Sequence, residues 1–230
     1  MDEKRNLIRR LMTQNTVWIF SLGALLFVPA GSLHWPAAWL FLATLGILGI
    51  IGGFWFVQIN PGLLAERMRP MIQKDQPQAD KVFIVATGLV SMIWLIVMGL
   101  DQRYQWSGMS IGFQVLGFAL FILSLAISFW VMRENTFAAP VVKIQAERGH
   151  HVIRTGPYAF IRHPMYSGAI FFFLGVSLLL GSWWGAAIMP IFIGLFAGRT
   201  VIEERTLVVG LPDYREYTEQ VRYRLLPGIW

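Results

Sequence analysis

The chain has 230 residues, 56% of them hydrophobic and only 14% charged, with a formal net charge of +6 and no cysteine. Soluble domains usually carry roughly 25% charged residues, so a water-soluble globule is excluded, and the missing cysteine removes a disulfide framework, a thiolate metal site and a cysteine nucleophile. The positive balance does not point to nucleic acid, because the basic residues sit in short segments between apolar runs, where positive-inside topology puts them.

In chain order, residues 4–12 (KRNLIRRLM) interleave Lys4, Arg5, Arg9 and Arg10 with Leu7, Ile8, Leu11 and Met12. At helical spacing this predicts an amphipathic segment at the headgroup level. Uncharged runs follow at 16–33, 36–59, 82–100 and 106–132, each reaching the roughly 17–25 residues a spanning helix needs. The first lacks a small-residue cleavage site, so no signal peptide is expected. The run 164–198 is too long for one crossing, and GSWWG at 181–185 divides it, with Trp183 and Trp184 suited to an interface. The expectation is an all-α, polytopic membrane helix bundle of about six transmembrane helices, the last two forming a tight hairpin.

Lys and Arg set the orientation. There are four in 4–10, four in 67–81, five in 133–162 and five in 199–224, against Arg103 alone on the other side. That asymmetry predicts both termini, the segment 133–163 and the tail in the cytoplasm, or at the inner face of the cell membrane of a prokaryote. The segment 60–81 reads as a connector whose charges form a solvated face. Gly46, Gly49 and Gly53 read as small residues for close helix packing, and Pro29 and Pro190 as kinks that neighbouring helices can satisfy. No internal repeat is present, and 1–230 reads as one domain.

Two polar clusters bracket the last hairpin. His150–Gly168 (HHVIRTGPYAFIRHPMYSG) gathers three histidines, Arg154, Arg162, two tyrosines and two X-Pro steps; Arg199–Arg205 (RTVIEER) lies at the other end. Thr155-Gly156-Pro157-Tyr158 is a turn signature, and Pro164 after the restricted His163 suits the first turn of a helix. The bland reading of Arg162-His163-Pro164 is a helix-entry turn with a snorkelling arginine; the density of polar and aromatic groups favours a site. Trp130–Phe137 (WVMRENTF) offers snorkelling charges and a capping Asn135, or an Asn135 that lines a pocket. His150, His151 and His163 have no metal-ligand spacing and no HExxH frame, so no metal is expected. Arg199 and Glu203 share a helix face, either as an interfacial ion pair or as a functional pair at a depth where charge is costly. Tyr214, Tyr217, Tyr223 and Trp230 read as lid and packing groups.

The wording GHHVIRTGPYAFIRHPMYSG, then an apolar hairpin, then RTVIEERTL and YREYTEQVRYRLLPGIW, resembles the isoprenylcysteine carboxyl methyltransferase family. It is similar more broadly to membrane methyltransferases that include the phospholipid N-methyltransferases. The resemblance covers roughly residues 130–230, and the wording looks like the prokaryotic branch; the first half matches only as generic spans. It implies a four-span bundle over 1–132 and a cofactor-binding and catalytic part over 133–230. It implies S-adenosylmethionine, with S-adenosylhomocysteine as product, in a cytoplasmic pocket made by the hairpin, the linking segment and the tail. Asn135, His150, Val152, Tyr158, Arg162, His163, Pro164, Tyr166 and Glu204 would hold or shape the cofactor site, with Arg199 and Glu203 beside the transferring methyl. In that scheme Arg199 orients an anionic nucleophile, and Glu203 holds Arg199 or attracts the sulfonium. The acceptor would be lipophilic or small: a prenylcysteine-type carboxylate, an amino-lipid or a thiol. A non-catalytic membrane scaffold is the competing reading from another class. A transporter is disfavoured by the absence of an intramembrane acidic relay.

Overall fold

A computed structural model describes residues 2–74 and 76–230, and among these there is helix and loop but no strand. The helices are α1 (Asp2–Ala30), α2 (Pro36–Ile59), α3 (Pro61–Arg67), α4 (Gln78–Tyr104), α5 (Ile111–Glu134), α6 (Pro164–Leu179), α7 (Trp183–Ala187), α8 (Met189–Gly210) and α9 (Tyr214–Gln220). Five helical stretches are long and apolar enough to cross a membrane: Lys4–Ala30, α2, α4, α5 and Trp183–Gly210. The sixth apolar helix, α6, has 16 residues, about 24 Å at 1.5 Å per residue, short of the hydrocarbon core of a typical bilayer. The outward faces carry exposed Phe20, Ile47, Ile51, Val85, Ile93 and Val115. Such a belt is unstable in water and matches a lipid environment, so the chain is an integral membrane helix bundle.

Where helices touch most closely, glycine makes room. A Cβ on Gly117 of α5 would lie 2.3 Å from the Leu179 backbone N, and one on Gly175 of α6 would lie 2.6 Å from the Phe121 N. The two glycines face each other, and α5 and α6 approach backbone to backbone. In α2, a Cβ on Gly53 would meet Leu11 at 2.5 Å and one on Gly49 would meet Asn15 at 2.7 Å, so the α2 glycine stripe does seat α1. Gly99 of α4 admits the Leu26 carbonyl in the same way. The core between the helices is built of Leu26, Phe41, Trp94, Met98, Phe121 and Phe192, with the Trp94 indole donating to Ser177 Oγ at 3.0 Å.

Three details differ from expectation. Residues 4–12 are the first turns of α1, and Leu7 and Leu11 pack on Phe56, Val57, Leu63 and Leu64 instead of lying on headgroups. Protein side chains offered that apolar stripe a dry surface before lipid could. Pro29 falls in the last turn of α1 and bends no helix interior, whereas Pro190 follows the break at Ile188 that divides the Trp183–Gly210 stretch. The charges of 60–81 are not all solvated: Glu66 and Asp80 are buried, together with the Gln76 amide, and Asp75 lies outside the described residues. Glu66 pairs with Lys143 at 2.5 Å, and Arg67 donates to the Ala138 carbonyl at 2.8 Å. This segment is thereby clamped to the one that follows α5.

Gly181, at φ 78°, turns the chain after α6, and Ser182 caps α7 through the Gly185 N–H at 2.9 Å. At this end of the bundle Asp101 accepts from Ser107 N, Ser107 Oγ and Ser182 Oγ at 2.8, 2.7 and 2.5 Å, tying the α4–α5 and α6–α7 connections together. The opposite end carries the N-terminus, residues 60–77 and 135–163, and the tail. The remaining polar chemistry gathers there.

Candidate active site

Asn135 ends α5. Its backbone N–H still donates to Val131 O at 2.8 Å, while its side chain accepts from Phe137 N–H and donates to Tyr158 OH, both at 2.8 Å. It is at once a cap and the group that aims Tyr158. Phe137 then stacks on His150, ring centroids 4.5 Å apart. The Gln145 N–H donates to His150 Nδ1 at 3.3 Å, which puts the imidazole proton on Nε2. Burial, with His151 and Arg148 nearby, lowers the His150 pKa to about 4, so the ring is neutral near pH 7.

The turn that follows uses Gly156 at φ 59°, where a Cβ would strike the Glu134 carboxyl group at 2.8 Å. It delivers Tyr158, whose backbone carbonyl accepts from Tyr217 OH at 2.7 Å. Burial raises the pKa of the Tyr158, Tyr214 and Tyr217 hydroxyls, so all three stay neutral donors.

Arg162 does not snorkel. Its Nε donates to Glu204 Oε1 at 2.6 Å, and its Nη1 donates to the carbonyls of Val221, Thr218 and Arg222 at 2.9, 3.3 and 3.3 Å. Those carbonyls end α9, where orphan acceptors and the helix dipole favour a cation. Glu204 Oε2 also accepts from Arg224 Nε at 2.8 Å. Removing one partner of a fully buried pair costs about 3–5 kcal/mol. The figure here is smaller, because the Arg224 side chain keeps 33% of its exposure. His163 lies between the two acids, Nδ1 3.5 Å from Glu203 and Nε2 3.4 Å from Glu204. Burial alone would lower its pKa, but hydrogen bonds to Glu203 and Glu204 outweigh it and the net shift is upward. Tyr166, stacked on His163, donates its hydroxyl to Glu203 Oε2. Pro164 opens α6 as expected.

These elements enclose a cleft of about 830 Å³, its open mouth included. Asn135, His150, Val152, Tyr158, Arg162, His163, Tyr166 and Glu203 line it; Pro164, Glu204 and Arg199 are not among its lining residues. Arg199 corrects one expectation. Its Nε lies 3.0 Å from Asp80 Oδ1, its Nη2 donates to Pro140 O at 2.5 Å, and it sits over the rings of Phe83 and Tyr166. Its ion-pair partner is therefore Asp80 of α4, not Glu203. Glu203 is instead turned to Tyr166 and His163, because α4 supplies an acid closer to the guanidinium. Phe137, Leu207, Leu211, Tyr214 and Tyr217 also line the cleft. Reading the tail tyrosines as packing groups missed that Tyr214 OH is buried with no hydrogen-bond partner among the described residues. Nothing local marks that hydroxyl, although its place in a polar tail following RTVIEER was a signal.

Two comparisons bear on this arrangement. The family model described as phospholipid methyltransferase matches residues 113–209. The Protein-S-isoprenylcysteine O-methyltransferase of Schizosaccharomyces pombe is 30% identical over 83 residues, which is 35% of this chain and 35% of that relative. The match thus spans about a third of the curated relative. Together these support an isoprenylcysteine methyltransferase-like membrane family. The matched residues start within α5, earlier than the resemblance suggested, and stop at the end of α8, short of the α9 tail. They contain both polar clusters and the glycines that join α5 to α6.

Proposed function

We propose that the chain is an S-adenosylmethionine-dependent methyltransferase whose cleft opens to the cytosol and whose acceptor is lipophilic, a prenylcysteine-type carboxylate being the first choice. The observation that carries the reading is the cleft itself. Tyr158, Tyr214 and Tyr217, the buried unpartnered Tyr214 hydroxyl and the Glu203 carboxylate converge in it. That lining suits a nucleoside bearing a cation, which aromatic faces and a carboxylate attract, and the unsatisfied hydroxyl is the kind of group a bound ligand completes.

When bound, the cofactor supplies an electrophilic methyl on sulfonium. Transfer to an acceptor that is already anionic is an in-line displacement, so the protein contributes alignment and charge complementarity rather than proton transfer. Glu203 presents negative charge to the cleft, fixed by the Tyr166 hydroxyl and by His163. The Arg199 cation lies behind the Tyr166 ring, 5.5 Å from its centroid, and complements a negatively charged acceptor. Phe137, Leu207 and Leu211 exclude water from the cleft wall. Positive-inside asymmetry supports a cytosolic mouth and cytosolic termini.

Isothermal titration of the detergent-solubilised protein with S-adenosylmethionine and S-adenosylhomocysteine tests the reading. Saturable binding of both is expected; no saturable binding leaves a non-catalytic scaffold. For the arginine, Arg199→Ala is expected to reduce turnover far more than it weakens cofactor binding. Equal losses in both would remove the assigned role. Mass spectrometry of lipid extracts incubated with isotope-labelled donor then identifies the acceptor.

A further inference from the structure

We propose that Asp80 is a positioning residue for Arg199, a role that rests on the methyltransferase reading above. Asp80 stands in the first turn of α4 and is fully buried. Its Oδ1 lies 3.0 Å from Arg199 Nε. Its Oδ2 accepts the Val142 backbone N–H at 2.9 Å and Gln76 Nε2 at 2.6 Å. Arg199 Nη2 donates in turn to Pro140 O at 2.5 Å. Carboxylate, guanidinium, the Pro140 carbonyl and the Val142 amide close a ring that joins α4, α8 and the segment after α5. Val142 lines the cleft, so one buried acid sets both the arginine and part of the cleft wall.

A helix staple alone does not account for this arrangement. A buried ion pair contributes little net stability, because desolvation of both ions offsets their attraction. Phe83 and Phe196, with ring centroids 5.7 Å apart, already join α4 to α8. What the acid adds is direction and neutralisation. The Phe83 and Tyr166 rings, 4.6 and 5.5 Å from the guanidinium carbon, hold it by its faces without fixing its rotation. Arg199 Nε and Asp80 Oδ1 are close yet not aligned as a hydrogen bond. The Asp80 charge holds the near end of the guanidinium and the Pro140 hydrogen bond its far end, against the Tyr166 ring that lines the cleft.

The test is Asp80→Asn, which keeps the shape and removes the charge. Turnover is expected to fall roughly 30–100-fold, the scale on which a misplaced group loses rate, with cofactor affinity within about 3-fold as the two functions separate. Asp80→Glu, its charge moved by one methylene, should fall between wild type and Asp80→Asn. In the Arg199→Lys background, Asp80→Asn should add no more than about 2-fold, because the residues act as a unit. Turnover of folded Asp80→Asn near wild type, or losses that multiply in the double variant, overturns the proposal. If Asp80→Asn does not fold, unchanged turnover in Asp80→Glu overturns it equally. NMR of 15N-arginine-labelled protein gives a readout independent of turnover. The Arg199 Nε resonance, assigned by its loss in Arg199→Lys, should move in either Asp80 variant, and an unmoved resonance removes the contact. A wild type that neither binds donor nor transfers methyl sinks the functional reading instead, while the resonance still reports on the Asp80 contact.

Discussion

At the scale of single residues, His150 and His163 show how position decides the behaviour of one side-chain type. Both sit in the same polar stretch and both touch the cleft. His150 is desolvated and flanked by His151 and Arg148, so its pKa is lowered to about 4. His163 is also desolvated, yet two carboxylates bracket it and its pKa is raised. The pH dependences they confer have opposite signs. For His150 the unfolded chain binds the extra proton, so its contribution is complete above about pH 6.5 and is lost as pH falls toward about 4. For His163 the folded protein binds the extra proton, so its contribution is complete below about pH 6.5 and is lost as pH rises through the raised folded value. Thermal melting in detergent across pH is the check. His150→Gln should flatten the acid limb and His163→Gln the neutral-to-alkaline limb. Arg162 carries a related lesson. The sequence marks it as a cation near a membrane entry and offers Glu204 as one of several partners; the structure commits its donors to Glu204 and the α9 carbonyls.

At the scale of elements, the apolar spans were legible because each is written as an uninterrupted run, and helix is the structure that satisfies every backbone group in lipid. The α2 glycine stripe was legible for the same reason, being a spacing within one helix. The closer contact was not. Gly117 and Gly175 lie on different helices, and only the α5–α6 crossing makes them a pair. Gly117→Ala is expected to destabilise the bundle by at least the ~1–3 kcal/mol of core overpacking, because its Cβ would meet backbone at 2.3 Å. Gly88→Ala, with nothing within 4 Å of the added carbon, is expected to leave stability unchanged or raise it by up to about 1 kcal/mol, the helix preference for Ala over Gly. Melting temperatures of the two variants give the comparison, and equal effects would place the α5–α6 contact elsewhere.

At the scale of the molecule, the bundle has two unlike ends. One is knotted by Asp101, Ser107 and Ser182; the other holds the cleft. We propose from the positive-inside asymmetry that the cleft end faces the cytosol. The chain has no cysteine, so single-cysteine labelling reads topology without background. In intact cells Gly108→Cys is expected to react with an impermeant maleimide, and Glu219→Cys only after permeabilisation; the reverse pattern would invert the protein.

Hydropathy and charge are properties each residue carries with it. The sequence by itself therefore determined that this chain lives in a membrane, where its helices run, and that two polar clusters flank the last apolar stretch. Only the tertiary structure decided which acid meets which base. Asp80 took Arg199, Glu204 took Arg162 and Arg224, and Glu203 was left facing the cleft. Pairing between distant segments depends on how helices cross and how closely their backbones approach, and those distances appear only once the bundle has packed.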